Sequence, residues 1–376
     1  MELSLHSWKF LRYQITKNTD WYCVFVRTNS GQETLVEFTK GAQSNGVGRL
    51  INEILSAISE GNIPEEANLV EFTGIEKNVE SGSNMAAALS TVRTLITQLN
   101  ALHHNLPICA YISGQFPSDI DLYANINRGL FATDRSPEEF GKAAYRAVAK
   151  GFKVIKCAPF DEIQHPNPKD IDFVVEKGID RLLTVRQEVG SEVEILVDCH
   201  GRFEEASSRI VAELMNPIGI GWFEEPLDPI GFPAELAELA KEISMPIAGG
   251  EAGYGQLFFD SLIRLSSVKT VMPDIKYCGG VEEAVRIANS AMDSKVGFSP
   301  HCPSGPISLL ASAHVCASLN QRVILEHAVD ESDYRHELIN PVEIIKNGQL
   351  HMPTGPGLGA TFDTAALEKY GEYFSF

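Results

Sequence analysis

The chain has 376 residues, of which 44% are hydrophobic and 22% charged, a composition that can bury a large core without disulfide or metal staples. Its 31 Lys+Arg against 50 Asp+Glu leave a net charge of −19, which repels phosphate backbones and excludes nucleic acid as an expected partner. So large an acidic surplus also raises the question of whether some carboxylates gather around a cation. Seven cysteines stand singly, with no CxxC pair, which argues against a disulfide framework or a zinc ribbon. Met1-Glu2-Leu3-Ser4-Leu5 lacks a basic segment followed by an apolar one, and no apolar run approaches the roughly 20 residues that span a bilayer. The expectation is a cytoplasmic protein with no membrane partner.

Residues from about 3 to 39 read as an antiparallel meander. Trp21–Arg27 and Glu33–Phe38 are β-branched and aromatic, with Asn29-Ser30-Gly31 as the turn between them. Helical stretches follow near 46–60 and 84–104, completing a small α+β module. From Leu122 onward short apolar segments alternate with amphipathic helices. The candidate strands are Leu122–Asn127, Val154–Ala158, Val193–Asp198, Ile218–Glu224, Pro246–Glu251, Thr270–Asp274, Val296–Ser299 and Val323–Glu326. Ser136-Pro137-Glu138-Glu139 reads as a capping box with proline at the first helical position. Eight strand–helix units over about 205 residues fit a closed (β/α)8 TIM-like barrel. An open doubly wound sheet is the competitor, but Asn127–Ser136 carries no GxGxxG phosphate loop. The division expected is an α+β capping domain over 1–115, the barrel over 116–335, and a C-terminal segment, 336–376, that returns to complete the cap.

Polar residues recur where each barrel strand should end: Asp198, Glu224, Glu251, Asp274, His301 and Glu326. The gaps are 26, 27, 23, 27 and 25 residues, about one βα unit each. Strand C-termini share one face of a barrel, so all six side chains would point into one mouth. A single Asp at a strand end is ordinarily a cap or a surface ion-pair partner; the shared phase is the signal. Three carboxylates on adjacent strands raise one another's pKa unless a cation lies between them. Asp198, Glu224 and Glu251 therefore read as an oxygen-only site for a hard metal, Mg²⁺ suiting it best. Asp274 beside His301 would fix the imidazole tautomer and make a general base. Residues 198 and 200 would face the same side if that strand extends far enough.

The ordered set Val197-Asp198-Cys199-His200-Gly201-Arg202-Phe203, Phe223-Glu224-Glu225-Pro226, Gly250-Glu251, Pro273-Asp274 with Gly279-Gly280, and Pro300-His301-Cys302-Pro303-Ser304-Gly305-Pro306 resembles the enolase superfamily. Within it the match is to the mandelate racemase subgroup, nearest to acid-sugar dehydratases of the galactonate dehydratase type. The resemblance covers about 120–360. It implies one Mg²⁺ per subunit on Asp198, Glu224 and Glu251, with Glu224 rather than Glu225 as the ligand. It further implies Asp274 and His301 as the base dyad and His200 as the acid for the leaving group. Racemases of this subgroup carry a Lys-x-Lys pair on the second strand, whereas here Lys156 is followed by Ala158. Losing the opposite-face lysine favours a one-base elimination, with Lys156 binding the substrate carboxylate and Glu326, if protonated, sharing it.

The implied activity is dehydration of an aldonate or aldarate to a 2-keto-3-deoxy acid. The alternative is a racemase, epimerase or cycloisomerase acting through the same enediolate. Lys276, two residues past Asp274, is expected to form an ion pair. Arg93–Asn105 lacks the Ala-Leu-Trp-Asp signature common in relatives. Cap loops near Asn18–Trp21 and Gln43–Arg49 are the expected specificity determinants. The resemblance also implies a homo-oligomer.

Overall fold

The computed structural model describes residues 4–16, 19–59, 79–164 and 171–376. At the N-terminus β1 (Leu5–Gln14), β2 (Asp20–Thr28) and β3 (Glu33–Glu37) pair antiparallel in chain order, the β2–β3 turn closing with Gly31 N–H on Thr28 O at 3.0 Å. Helix α1 (Ser44–Ile58) buries Val47, Ile51, Ile54, Leu55 and Ile58, the three- and four-residue spacing of one helical face. Helix α2 (Asn84–His103) starts at Ser83, whose hydroxyl accepts the Ala86 N–H and satisfies a donor that the first turn leaves open. It is buried nearly all round because it packs against the meander, α1 and the barrel together. A short helix, α3 (Ile108–Ser113), leads out of this module.

Eight parallel strands follow: β4 (Ile120–Asn125), β5 (Val154–Cys157), β6 (Glu194–Asp198), β7 (Ile220–Glu224), β8 (Ile247–Gly249), β9 (Thr270–Val271), β10 (Gly297–Phe298) and β11 (Ile324–Ala328). Each pairs with the next as far as β10, and β11 pairs back onto β4. Between β10 and β11 the Ser299 hydroxyl donates to Ile324 O at 2.7 Å. The helices α4 (Asn127–Leu130), α5 (Pro137–Ala149), α6 (Ile171–Val189), α7 (Glu205–Met215), α8 (Pro233–Glu242), α9 (Gln256–Leu265), α10 (Val281–Asp293) and α11 (Pro306–Ala317) alternate with them. Tyr123 on β4, Leu196 on β6, Trp222 on β7, Ala248 on β8 and Met272 just past β9 pack together as an inner cluster separate from the helix-facing core. No helix among the described residues is long and apolar enough to cross a membrane.

Several boundaries differ from the sequence reading, each for a local reason. Strands β8, β9 and β10 end two, three and three residues before Glu251, Asp274 and His301, which stand on the loops above them. Gly250, at φ +104°, precedes Glu251, while Pro273 and Pro300 precede the other two; neither a left-handed residue nor one without an N–H continues a ladder. Glu326 is the middle residue of β11 rather than its end. Ile218 belongs to a 3-10 turn before β7, and Asn127 already begins α4. Ser136 does cap α5, but Glu139 turns outward to Lys142 at 2.6 Å.

After the barrel the chain touches the N-terminal module at Tyr334, whose hydroxyl donates to Gln14 O, and then passes beneath the barrel. The hairpin β13 (Ile345–Lys346) and β14 (Gln349–Leu350) adds antiparallel to β4 at its N-terminal end, while β12 (Ile339–Asn340) pairs with β15 (Thr361–Phe362). The last elements, α12 (Thr364–Tyr370) and β16 (Gly371–Phe374), lie on the N-terminal module, where β16 pairs with β1. Module and barrel also meet at Gly279-Gly280, where Gly279 N–H donates to Ser90 Oγ at 2.8 Å. A Cβ on Gly280 would stand 3.0 Å from Ser90 O, and φ there is +89°, so this close approach requires glycine.

Candidate active site

Asp198 and Glu224 are the last residues of neighbouring strands β6 and β7 and lie opposite each other in register. Glu251 reaches them from the loop above β8, and one oxygen from each of the three lies within 4.8 Å of the others. Glu225 shapes that loop: at φ +39° its carboxylate turns back to accept the N–H groups of Gly250, at 2.8 Å, and Glu251, at 3.1 Å. Burial, then the charge of Glu251, pushes Glu225 up to about 8. Burial and the charge of Asp198 push Glu224 well above the usual carboxylate range, and burial raises Asp198 as well. A buried, mutually repelling, all-oxygen donor set of this kind fits a hard divalent cation.

Lys156 is fully buried beneath these carboxylates. Its Nζ lies 2.8 Å from Glu224 Oε1, 2.9 Å from Glu326 Oε1 and 3.8 Å from Asp198 Oδ2. Burial opposes its charge, but Glu224 and Glu326 outweigh that and hold the ammonium. Glu326 accepts from Asn125 Nδ2 at 2.6 Å and from Cys302 N–H at 2.8 Å. Burial raises its pKa, yet Lys156 and His301 bring it below the ordinary value. Its close partners, Lys156 Nζ, Asn125 Nδ2 and the Cys302 N–H, all donate to it.

His301 places Nδ1 3.0 Å from Asp274 Oδ2 and Nε2 2.9 Å from Glu251 Oε2. Asp274 is shared, since Lys276 Nζ lies 2.7 Å from the same oxygen and Lys276 N–H donates to Oδ1 at 2.8 Å. The ion pair expected of Lys276 is present, and its ammonium also reaches Ser304 Oγ. Burial works against a charged His301, but Glu251 and Glu326 hold it well above the ordinary histidine value.

His200 reaches the site by a different route from the one alternation suggests. Strand β6 ends at Asp198, and His200 sits in the following turn at φ +51°. Its N–H donates to Asp198 Oδ1 at 3.1 Å, its Nε2 lies 3.2 Å from Asp198 Oδ2, and its Nδ1 lies 2.8 Å from Asp161 Oδ1. Burial lowers its pKa, but Asp198 and Asp161 together push it up to about 10. The carboxylate set is thus flanked by two imidazoles, each with its own aspartate. Sequence reasoning missed Asp161, Asn125 and the role of Glu225 in bending the Glu251 loop. Asn125 closes a barrel strand and was open to the same phase argument; Asp161 lies in a connecting turn with no periodic signal.

A cavity of about 430 Å³ opens beside His301, between the mouth and the N-terminal module. Asp274, Lys276 and Arg128 line it from the barrel, and Trp21, Thr39 and Asn45 from the module. Of the expected specificity loops, Thr19, Asp20, Trp21 and Asn45 reach this cavity, whereas Asn18 lies outside the described residues.

Comparison with known proteins adds three findings. The family model described as enolase C-terminal domain-like matches residues 139–366. An arabinonate dehydratase of Saccharolobus solfataricus is 31% identical over 288 residues, covering 76% of this chain and 72% of that one, and a D-xylonate dehydratase of Haloferax volcanii is 23% identical over 94% and 86%. Among solved structures, a mandelate racemase/muconate lactonizing enzyme-like protein from Rubrobacter xylanophilus superposes with a TM-score of 0.88 at 28% identity, over 99% of this chain and 98% of that one.

Proposed function

The chain belongs to the enolase C-terminal domain-like family, and on that premise we propose that it is a Mg²⁺-dependent dehydratase of a sugar acid, a carbon–oxygen lyase. The names of its relatives support the reaction class: arabinonate, D-xylonate and D-galactonate dehydratases recur among them. The observation that carries the reading is the pair of histidines, with Nε2 of His301 2.9 Å from Glu251 and Nε2 of His200 3.2 Å from Asp198. Base and acid stand on two flanks of one carboxylate set, as an elimination requires.

Asp198, Glu224 and Glu251 would hold one Mg²⁺, which when bound would supply positive charge to offset the negative charge that develops on the substrate carboxylate. Lys156, already charged and buried beside Glu224, adds to that field. Glu326 keeps Lys156 in place and is an acceptor in this reading. His301 takes the C2 proton of the substrate, with Asp274 holding its Nδ1–H. An imidazole must be neutral to do this, and Glu251 opposes neutrality as long as its own charge is uncompensated. His200, held charged by its carboxylates, gives its Nε2 proton to the 3-hydroxyl, which leaves as water while the C2–C3 double bond forms. The resulting enol ketonises to a 2-keto-3-deoxy acid. The distal end of the substrate would occupy the 430 Å³ cavity, against Arg128 and the module's Trp21 and Asn45.

The test is a screen of aldonates and aldarates with Mg²⁺, assayed for 2-keto acid. Product from at least one of them is expected. Deuterium exchange at C2 in D₂O with no loss of water from any would instead make the chain a racemase, epimerase or cycloisomerase. Assembly as a homo-oligomer belongs to the same proposal, and sedimentation of the purified protein checks it.

A further inference from the structure

Asp161 belongs to the turn that follows β5, over residues 158–163. Its Oδ1 lies 2.8 Å from His200 Nδ1, and its Oδ2 lies 3.3 Å from Arg135 Nη2. Arg202 Nε adds a further cation at 3.6 Å from Oδ1. The turn is anchored by other groups. Arg135 Nη2 donates to Ala158 O at 2.7 Å. Arg181, wholly buried on α6, donates to Pro159 O at 2.6 Å, to Arg135 O at 2.8 Å, and to both oxygens of Glu162 at 2.7 Å. Arg202 Nη1 holds its far end through Ile163 O at 3.0 Å. Backbone carbonyls and Glu162 thus fix the turn, and the turn in its fixed shape delivers the Asp161 carboxylate to the imidazole.

Ala158, the residue two past Lys156, opens this turn. A lysine in a continued strand would have projected there; the chain instead turns and offers a carboxylate to the histidine in the turn after the next strand. We propose that Asp161 is the positioning residue for His200, binding Nδ1–H so that Nε2 faces the carboxylate set and delivers its proton to the leaving hydroxyl. The proposal rests on the dehydratase reading above. It pairs His200 with Asp161 as His301 is paired with Asp274, and it divides the reaction: proton removal at C2 depends on Asp274, and loss of water on Asp161. The bond matters because an imidazolium carries a proton on both nitrogens, and a ring free to rotate would not keep its Nε2–H facing the leaving hydroxyl.

The experiment uses the full-length Mg²⁺-loaded protein and the variants Asp161→Ala and Asp161→Asn, with thermal melts to confirm folding. Two rates are read: 2-keto acid formation, and deuterium incorporation at C2 of substrate recovered from D₂O. In Asp161→Ala the kcat for water loss is expected to fall about 10–100-fold with KM unchanged, while C2 exchange persists. Asp161→Asn keeps an acceptor oxygen and is expected to fall less. Water loss at the wild-type rate in Asp161→Ala, or equal loss of both rates in a folded variant, overturns the proposal. A second measurement needs no substrate. The low-field Nδ1 proton of His200, assigned by its disappearance in His200→Asn, is expected in the wild type and absent in Asp161→Ala; its persistence in Asp161→Ala also overturns the proposal. If the wild type dehydrates no sugar acid, the functional reading fails, and this resonance decides the Asp161–His200 bond by itself.

Discussion

The two flanks of the carboxylate set solve the same problem with different materials. On the His301 side the histidine is about a tenth exposed, its aspartate is buried, and the countercharge is a lysine two residues further along the same loop. On the His200 side the imidazole is about a third exposed, stands in a left-handed turn, and takes its aspartate, as His301 does, from the loop after the preceding strand, but with arginines rather than a lysine beside it. The first is suited to a base that must be shielded from water until substrate arrives. The second is suited to an acid whose product is water and must leave. One flank is sheltered and the other is open to solvent, so they should respond differently to perturbation.

The largest effect should come from removing what both flanks share. Glu224→Gln, or chelation of the wild type with EDTA, is expected to abolish turnover on either flank, and titration calorimetry should show Mg²⁺ affinity lost in the variant. Undiminished Mg²⁺ binding by Glu224→Gln would break the assignment of the metal site. Next is His301→Asn, which should lower both water loss and C2 deuterium exchange by about 10²–10⁴-fold, because both need the proton removed. His200→Asn should separate the flanks: water loss falls about 10²-fold or more while exchange continues. Should the two variants lose both reactions equally, the assignment of separate acid and base has to be given up.

The smallest effect concerns a histidine remote from both flanks. His314 on α11 is fully buried, its Nδ1 accepts the Cys109 N–H at 3.4 Å, and burial pushes its pKa down to about 4. The unfolded chain binds this proton near the ordinary value and the folded chain does not. Its stabilising contribution is therefore present above pH ~6.5 and is lost as the pH falls toward 4. Between pH 7 and pH 5 this one group accounts for about 2 kcal/mol of lost stability. Urea melts of His314→Gln at the two pH values should show a correspondingly shallower decline. An unchanged decline would place the acid sensitivity in the carboxylate set instead.

Much of the mouth was legible because a barrel repeats. One βα unit takes about the same length each time, so Asp198, Glu224 and Glu251 announce themselves by phase and chemistry. The meander, α1 and α2 were legible for a similar reason, since their apolar residues keep the period of the element that buries them. Strand ends were harder to read. Gly250, Pro273 and Pro300 cut the ladders short, and apolar pattern alone continues across them. Glu326 looked like a strand end, but it lies in the middle of β11, where Lys156 and the Cys302 N–H donate to it. The path of residues 345–350 under β4 gave no sign, because two-residue strands carry no readable period.

The sequence by itself determined the repeating strand–helix order, the three phased carboxylates, the Asp274–His301 pairing and the substitution of Ala158 for a second lysine. Each is written in spacing or identity, which survive without coordinates. Tertiary structure decided which groups meet across loops: Asp161 with His200, Asn125 with Glu326, and the module's Trp21 and Asn45 with the barrel's Arg128 around one cavity. Those contacts join residues whose separation along the chain has no period, and only the closed fold brings them within the few ångströms over which hydrogen bonds and charges act.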